Sequence, residues 1–238
     1  MTRPAPALEV RRLDPGALGE ALDRDGYATI PGLIDAPGCA ELAAIYDEDE
    51  RFRKVVVMGR HGYGRGEYRY FARPLPDQVQ ALRDGLYPAL AAIANRWDER
   101  LGSPGRWPAT HADLAAKCAA AGQTKPTPLL LRYGPGDYNR LHQDIYGDLV
   151  FPLQVVVLLD QPGGDFAGGE LVLSEGRARM QSRPIVVALG QGDAVVIPVR
   201  ERPVQGARGW TRATMRHGVS EVRSGRRRTL GIIFHDAA

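Results

Sequence analysis

The sequence predicts an α+β protein whose helix-rich N-terminal half precedes an antiparallel β-sandwich or small barrel. Short apolar runs follow one another closely after residue 126, and Gly and Pro separate them. Their close spacing leaves little room for the crossover helices that parallel strands need. We therefore expect a helical support region with one strand over residues 1–125 and a β core over residues 126–238, which together form one compact domain.

The N-terminal region carries the start signals of several helices and the pattern of one strand. Asp14–Pro15 predicts a helix that ends near Asp25, and Gly26–Ile34 is typical of a strand that ends in a turn. Further helices are expected over Asp35 to about Phe52, over Pro76–Leu101 with an interruption near Pro88, and over Ala109–Ala121.

Between the second and third predicted helices, Met58–Arg73 is rich in Gly, Arg and aromatic residues. Basic residues interleaved with aromatic ones can stack on bases or enclose a charged substrate. A substrate lid is therefore one interpretation, with Tyr68, Arg69 and Tyr70 as its participants. The alternative is a glycine-rich loop whose aromatic side chains reach into the core.

The C-terminal region contains a series of short apolar runs that predict strands. Val150–Leu159 is apolar almost throughout, which is typical of a strand buried on both faces. The runs are Leu129–Tyr133, Val150–Leu159, Gly168–Leu173, Ile185–Leu189, Ala194–Ile197 and Thr229–Phe234.

The most informative motif is His142-Gln143-Asp144, which is followed much later by a lone His217. His142 and Asp144 are two residues apart, so on an extended strand their side chains project from the same face. Two imidazoles and one carboxylate form the facial triad that suits non-haem Fe(II) and leaves coordination positions open. An isolated His-x-Asp is more often a surface His beside a turn Asp, but the surrounding strands favour the metal site.

The motifs around this triad resemble those of the Fe(II)/2-oxoglutarate-dependent dioxygenases, with the prolyl-hydroxylase branch closest. The matching motifs are Tyr133–Asp144, Gly168–Leu171, His217 and Gly225–Arg227, in the order that the family shows. The resemblance covers Pro126–Asp236. It implies a double-stranded β-helix, a jelly roll like that of the cupins, with iron at one mouth.

The resemblance also implies an activity and its cofactors. His142, Asp144 and His217 would hold Fe(II), which works with 2-oxoglutarate and dioxygen and, as an optional reductant, ascorbate. An unactivated C–H would be hydroxylated while 2-oxoglutarate is converted to succinate and carbon dioxide. The commonest substrate of this branch is a peptidyl or free amino acid such as proline.

In the family, a basic residue about ten positions after the second His pairs with the far carboxylate of 2-oxoglutarate. The Gly-x-basic pattern maps this role onto Arg227, and strand alternation places Arg226 and Arg228 on the other face. A register error of one residue would exchange these roles. Tyr133 either lines the co-substrate pocket or is an ordinary core tyrosine. Thr229 shares the face of Arg227 and is a further contact.

Composition is that of an ordinary soluble protein, and the net charge of +3 does not by itself argue for nucleic acid. Arg200–Arg228 is crowded with arginines, which are either scattered on solvated loops or form a basic rim beside His217. No apolar run reaches the roughly twenty residues that span a membrane. We expect a cytoplasmic location, since no signal-type segment follows Met1.

Two alternatives to amino acid hydroxylation remain. The same chemistry could act on nucleic acid or another polyanion by oxidative demethylation, because demethylating relatives carry extra arginines that superficially match Arg226–Arg228. A non-catalytic jelly-roll binding module is the third hypothesis, and the intact triad argues against it. The sequence leaves open the substrate, the stereochemistry and the oligomeric state.

Overall fold

Two antiparallel β-sheets lie face to face, and helices cover the outer face of the larger sheet. The computed structural model describes residues 13–103 and 105–238. The predicted α+β organisation, with N-terminal helices beside an antiparallel β core, is confirmed. The space between the two sheets is the cavity that holds the candidate site.

Four α-helices occur among the described residues, and none of them is long and apolar enough to cross a membrane. The first begins where sequence signals place it, because the side chain of Asp14 accepts a hydrogen bond of 2.8 Å from the Gly16 N–H. The helices are α1 (Pro15–Asp25), α2 (Ala36–Ala44), α3 (Asp77–Arg100) and α4 (His111–Ala120).

The described residues also form fifteen strands. They are β1 (Ala28–Ile30), β2 (Phe52–Val57), β3 (Gly64–Arg65), β4 (Glu67–Phe71), β5 (Leu129–Tyr133), β6 (Tyr138–His142), β7 (Leu153–Leu158), β8 (Phe166–Gly168), β9 (Leu171–Gly176), β10 (Arg183–Val187), β11 (Ala194–Pro198), β12 (Glu201–Gly206), β13 (Gly209–Val219), β14 (Val222–Gly225) and β15 (Arg227–Ile233). The described part of the larger sheet has the order β1-β11-β7-β15-β5-β4-β2, and that of the smaller has β10-β9-β13-β6-β3, with β12 paired to β13. β14 pairs with β8.

Alternation along the central strands of the larger sheet separates the hydrophobic core from the cavity. Val155 of β7 and Leu230 of β15 face outward and pack in one cluster with Leu86 of α3. Gln154 and Thr229, one position away on the same strands, face inward and line the cavity. The sheet therefore has a dry helix-covered face and a face that carries polar groups.

Two helices differ from the sequence prediction. The helix expected to continue to Phe52 ends at Ala44, because Phe52 instead begins β2 and stacks on Phe71 of β4, with ring centroids 5.0 Å apart. The interruption expected near Pro88 is absent from α3. Proline removes one backbone hydrogen bond there, but the buried face on either side of it, which includes Leu86, holds the helix together.

The segment Met58–Arg73 forms β3, β4 and the turn that leads into them, and so belongs to the cavity wall. β4 pairs with β2 and β5, while β3 pairs with β6. Tyr68 lines the cavity and Tyr70 is buried. Arg69 points away from the cavity and pairs with Glu67.

Candidate active site

The two histidines and the aspartate of the sequence motif meet at one end of the cavity. His142 and His217 are direct partners across the β6–β13 ladder. One ligand atom from each of His142, Asp144 and His217 lies within 4.8 Å of the other two. Nε2 of His217 is 3.2 Å from Oδ2 of Asp144, and Nε2 of His142 is 3.6 Å from Oδ1. The arrangement could hold a metal ion.

Asp144 reaches this point from a loop, which differs from the sequence argument. β6 ends at His142, so the two residues do not share one face of a continuous strand. The loop is held against the smaller sheet because the side-chain amide of Gln143 donates to the carbonyl oxygens of Met215 (2.8 Å) and Arg200 (3.0 Å). These hydrogen bonds turn the loop so that the carboxylate of Asp144 lies beside His142 and His217.

A β-bulge in β6 turns a second polar side chain of that strand toward the cavity. His217 pairs with His142, whereas Val219 pairs with Asn139, so β6 has one extra residue between the two pairs. On a regular strand, residues 139 and 142 would face opposite sides, but both line the cavity here. Gly218 lies opposite the bulge, where a Cβ atom would be 2.6 Å from the carbonyl oxygen of Asn139.

Hydrogen bonds orient the candidate ligands. Nδ1 of His142 is 2.7 Å from the carbonyl oxygen of Arg140, which can only accept, so Nδ1 carries the proton and Nε2 is left free. The Tyr146 hydroxyl donates to Oδ1 of Asp144 at 2.8 Å, and the Tyr70 hydroxyl donates to that of Tyr146 at 2.8 Å. The amide of Gln154 lies 3.5 Å from Nδ1 of His217.

The pKa shifts of His142 and Asp144 favour metal binding, which needs neutral imidazole and ionised carboxylate. Burial lowers the pKa of His142, and the charge of the nearby His217 lowers it further. Burial alone would raise the pKa of Asp144, but its hydrogen bond with His217 and the charges of both histidines hold that pKa below its usual value.

Arg227 projects into the same cavity from the start of β15. Its side chain is buried, and its Nε and Nη1 atoms have no hydrogen-bond partner among the described residues. Its Cζ atom is 5.6 Å from the ring centroid of Tyr133 and 5.9 Å from that of Phe166. Burial lowers the pKa of Arg227. A buried guanidinium without partners is costly, so an anionic group in the cavity would satisfy it.

The neighbouring arginines have other environments. Arg228 points out of the cavity and its Nη2 is 2.6 Å from Oδ1 of Asp160, while Arg226 is exposed. Of the arginines considered for a basic rim, Arg202 is buried and bonded to Glu175, with Nε 2.9 Å from Oε2. That residue therefore does not contribute to a rim.

Two further polar side chains suggested by the sequence line the cavity beside Arg227. Thr229 lies two residues along β15, and Tyr133 lies opposite Arg227 on β5. Tyr133 is fully buried, which raises the pKa of its hydroxyl to about 12. The side chain of Asn139 donates to this hydroxyl at 3.3 Å. The tyrosine is thus both a core residue and part of the cavity wall.

The cavity has a volume of about 450 Å³. Its walls are apolar between the polar groups, with Leu131 and Val156 from the larger sheet and Leu171 from the smaller. Such a cavity, mostly apolar with a few convergent polar groups, is typical of small-molecule and co-substrate sites.

Four residues that complete this site were missed as site residues by sequence reasoning. They are Asn139, Tyr146, Gln154 and Tyr70, of which only Tyr70 belongs to a segment that the sequence singles out, the possible lid. Their contributions depend on the bulge in β6, on the loop after His142 and on contacts between distant strands. Gln154 gave the one usable signal, since it is a polar residue inside an otherwise apolar strand.

Comparison with protein families finds a match over residues 66–237. The matching family is Oxygenase-NA, described as an oxygenase catalysing oxidative methylation of damaged DNA. The uncharacterized protein Rv2227 of Mycobacterium tuberculosis (strain ATCC 25618 / H37Rv) is 47% identical over 191 residues, which are 79% of this chain and 82% of that protein.

Solved structures with a similar fold include two oxygenases. A Pseudomonas putida prolyl-4-hydroxylase has a TM-score of 0.54 at 15% identity, covering 94% of this chain and 100% of its own. An oxidoreductase of the 2OG-Fe(II) oxygenase family from Burkholderia pseudomallei also has a TM-score of 0.54, at 19% identity and with coverage of 97% and 96%. At these identities the likeness is one of fold, and the predicted double-stranded β-helix is confirmed.

Proposed function

Because the chain belongs to the Oxygenase-NA family, we propose that it is an Fe(II)- and 2-oxoglutarate-dependent oxygenase that oxidises damaged nucleic acid. Family membership confirms the predicted enzyme class, an oxidoreductase that uses oxygen. The resemblance to 2-oxoglutarate oxygenases is confirmed as well, since solved members of that class share the fold. The site residues and the substrate are the parts that we propose.

One observation carries the proposal: the metal-binding cluster and an unpartnered buried guanidinium share a cavity. The donor set of His142, Asp144 and His217 is two nitrogens and one oxygen, which suits Fe(II) with positions left open. Arg227 offers a planar fork that matches a carboxylate. The residues therefore fit both iron and a dicarboxylic co-substrate.

The protein's own groups have distinct tasks in this proposal. Iron held by His142, Asp144 and His217 would supply the oxidising power, together with dioxygen and the conversion of 2-oxoglutarate to succinate and carbon dioxide. Arg227 holds the far carboxylate of 2-oxoglutarate, and the hydroxyls of Tyr133 and Thr229, which line the same cavity, assist it. Leu131 and Val156 give the cavity apolar walls, which limit the water that can enter it.

The family description favours a nucleic acid substrate over the amino acid that sequence motifs ranked first. Hydroxylation of an N-methyl carbon yields a product that loses formaldehyde, so an oxygenase acting on methylated bases restores the unmodified base. Peptidyl or free proline remains the second candidate, and the likeness to a prolyl-4-hydroxylase, which concerns fold alone, is what it rests on. Membership of an oxygenase family disfavours the binding-module hypothesis.

The first experiment tests the centre itself. Fe(II) and 2-oxoglutarate are added without oxygen to metal-free protein, and we expect a visible charge-transfer band, then succinate once oxygen is admitted. His142→Ala and Asp144→Ala should lose both signals, whereas Asp148→Ala, which removes an exposed carboxylate in the same loop, should keep them. Unchanged succinate formation in the first two variants would refute the site.

A second arm tests the substrate, with and without ascorbate. An oligonucleotide that contains N-methylated bases is compared with a proline-containing peptide, and formaldehyde and hydroxyproline are measured. We expect formaldehyde from the oligonucleotide. Hydroxyproline alone would replace the nucleic acid proposal with the second candidate and leave the centre intact.

A further inference from the structure

A stacked aromatic pair stands exposed at the mouth of the cavity. The rings of His61 and Tyr63 have centroids 5.3 Å apart and planes inclined by 24°. Half of the Tyr63 surface is exposed, at 50%, and the residue lines the same cavity as the candidate metal ligands. Large aromatic side chains are usually buried in a protein core, so a solvated stack beside a cavity suits a flat ligand.

Three arginines lie close to this pair in the backbone, two of them within two residues of it along the chain and one on β6, whose N–H bonds to Tyr63. None of the three forms an ion pair with a carboxylate of the described residues. They are Arg60, Arg65 and Arg140, and all three are exposed. Arg132 on β5 differs from these three, since it pairs with Asp47. Uncompensated positive charge concentrated at one place attracts a polyanion.

Close packing holds the turn that carries His61 and Tyr63 against β6, the strand that carries His142. Gly64 and Arg65 pair with Asn139 and Tyr138 of β6, and the Arg140 N–H donates to the carbonyl oxygen of Tyr63 at 2.9 Å. Gly64 permits this approach, because a Cβ atom there would lie 2.3 Å from the carbonyl oxygen of Tyr138. The aromatic pair is thus fixed in position relative to the candidate metal ligands.

We propose that His61 and Tyr63, with Arg60, Arg65 and Arg140, form a platform for single-stranded nucleic acid. A base next to the nucleotide being oxidised stacks on the aromatic pair, and the arginines bind the flanking phosphates. Nucleic acid fits both features, since each nucleotide offers a flat ring and a negative charge. The inference rests on the proposed function, because the platform borders the cavity in which we place the oxidation.

Binding of two fluorescent oligomers separates stacking from charge. One is an oligothymidylate of about ten nucleotides, and the other is an abasic phosphodiester of the same length. We expect the wild-type protein to prefer the oligothymidylate. Tyr63→Ala should weaken that binding about tenfold and abolish the preference, because stacking needs a base, whereas Tyr63→Phe should retain it.

Salt titration tests the arginines with the same oligomers. Replacing Arg60, Arg65 and Arg140 by Gln should reduce the slope of log affinity against log salt by about 2, at roughly 0.7 per phosphate contact. Arg208→Gln is the matched control, because this exposed arginine immediately precedes β13, at the end of that strand that is far from His217. Its slope should stay at the wild-type value.

The outcomes separate the platform from the proposed substrate. Wild-type binding of the oligothymidylate that persists unchanged in Tyr63→Ala and in the triple arginine variant would overturn the platform alone. A wild-type protein that binds neither oligomer, yet forms the iron chelate and succinate, would overturn the nucleic acid substrate together with the platform. Thermal midpoints equal to that of the wild type establish that the variants are folded.

Discussion

Two adjacent arginines at the start of β15 have opposite environments. Arg227 lies in the cavity without a hydrogen-bond partner for two of its nitrogens, within the described residues, whereas Arg228 is paired with Asp160 beneath α2. Strand alternation produces this difference, since successive side chains face opposite sides of a sheet. The sequence pattern selected Arg227, and the structure puts that side chain on the cavity side.

Arg227→Ala and Arg228→Ala should therefore have different effects on the enzyme. Arg227→Ala removes a charged hydrogen-bonding group worth about 1.5–3 kcal/mol, so the 2-oxoglutarate concentration needed for half-maximal succinate formation should rise about 10- to 150-fold. Arg228→Ala should leave this concentration unchanged but lower the free energy of unfolding, because Asp160 loses its partner. If Arg228→Ala raised the 2-oxoglutarate requirement instead, Arg228 and not Arg227 would be the residue that binds the co-substrate carboxylate.

At this scale the sequence predicts residues with a strong chemical signature and misses those that act through position. Four site residues can be proposed from the sequence, because few other patterns explain such residues. They are His142, Asp144, His217 and Arg227. Tyr146 cannot be proposed in this way, because its hydrogen bond to Asp144 depends on the path of the loop after β6. A tyrosine two residues past an aspartate carries no such information in the sequence.

The bulge in β6 decides which side chains of the strand reach the site. At this point β13 carries a glycine, Gly218, and the backbone of β6 comes too close for a Cβ atom there. Sequence alternation alone would assign Asn139 and His142 to opposite faces. The pairing of distant strands therefore overrides the local pattern, which is also why Phe52 begins a strand instead of ending a helix.

Gly218→Ala should disturb this bulge. The added methyl group would lie 2.6 Å from the carbonyl oxygen of Asn139, so β6 must shift away from β13. We expect weaker Fe(II) binding in anaerobic titration and a loss of about 1–3 kcal/mol in the free energy of unfolding. Gly176→Ala in β9 is the control, because its Cβ atom would meet its nearest neighbour, Oγ of Ser182, at an ordinary 3.6 Å. Equal effects in both variants would show that the bulge has no special role.

Buried arginines connect the helices to the β core of the whole molecule. Arg202 on β12 donates from Nη1 to the carbonyl oxygen of Asp23 in α1 at 2.8 Å and pairs with Glu175 on β9. Arg83 of α3 is bonded to Asp236 and to the carbonyl oxygen of Phe234. The expectation of one compact domain remains a prediction, and these contacts favour it.

Arg202→Gln should lower the free energy of unfolding by about 3–5 kcal/mol, because it leaves the buried Glu175 carboxylate without its main partner. Arg177 pairs with the same carboxylate from a more exposed position, so Arg177→Gln should cost about 1 kcal/mol or less. Urea denaturation measures both. A single transition in the wild type, followed by the helices and the sheets alike, is the result expected for one domain.

The pair of Arg202 and Glu175 makes the free energy of unfolding depend on pH. Burial alone would raise the pKa of Glu175, but the hydrogen bonds and charge of Arg202 hold it below its ordinary value. The stabilisation is therefore complete above the unfolded-state pKa of about 4.3 and is lost as pH falls through the lower folded-state pKa. The difference between wild type and Arg202→Gln should shrink in that acid range.

The position of β15 in the larger sheet has a consequence for protein synthesis. β15 lies between β5 and β7, yet every other described strand of that sheet precedes it along the chain. Until β15 has been synthesised, the chain lacks the strand that joins β5 to β7 at the centre of the sheet. Arg227 and Thr229, which we propose bind the co-substrate, lie on this last strand, so the proposed co-substrate site is complete only after the rest of the sheet has been made.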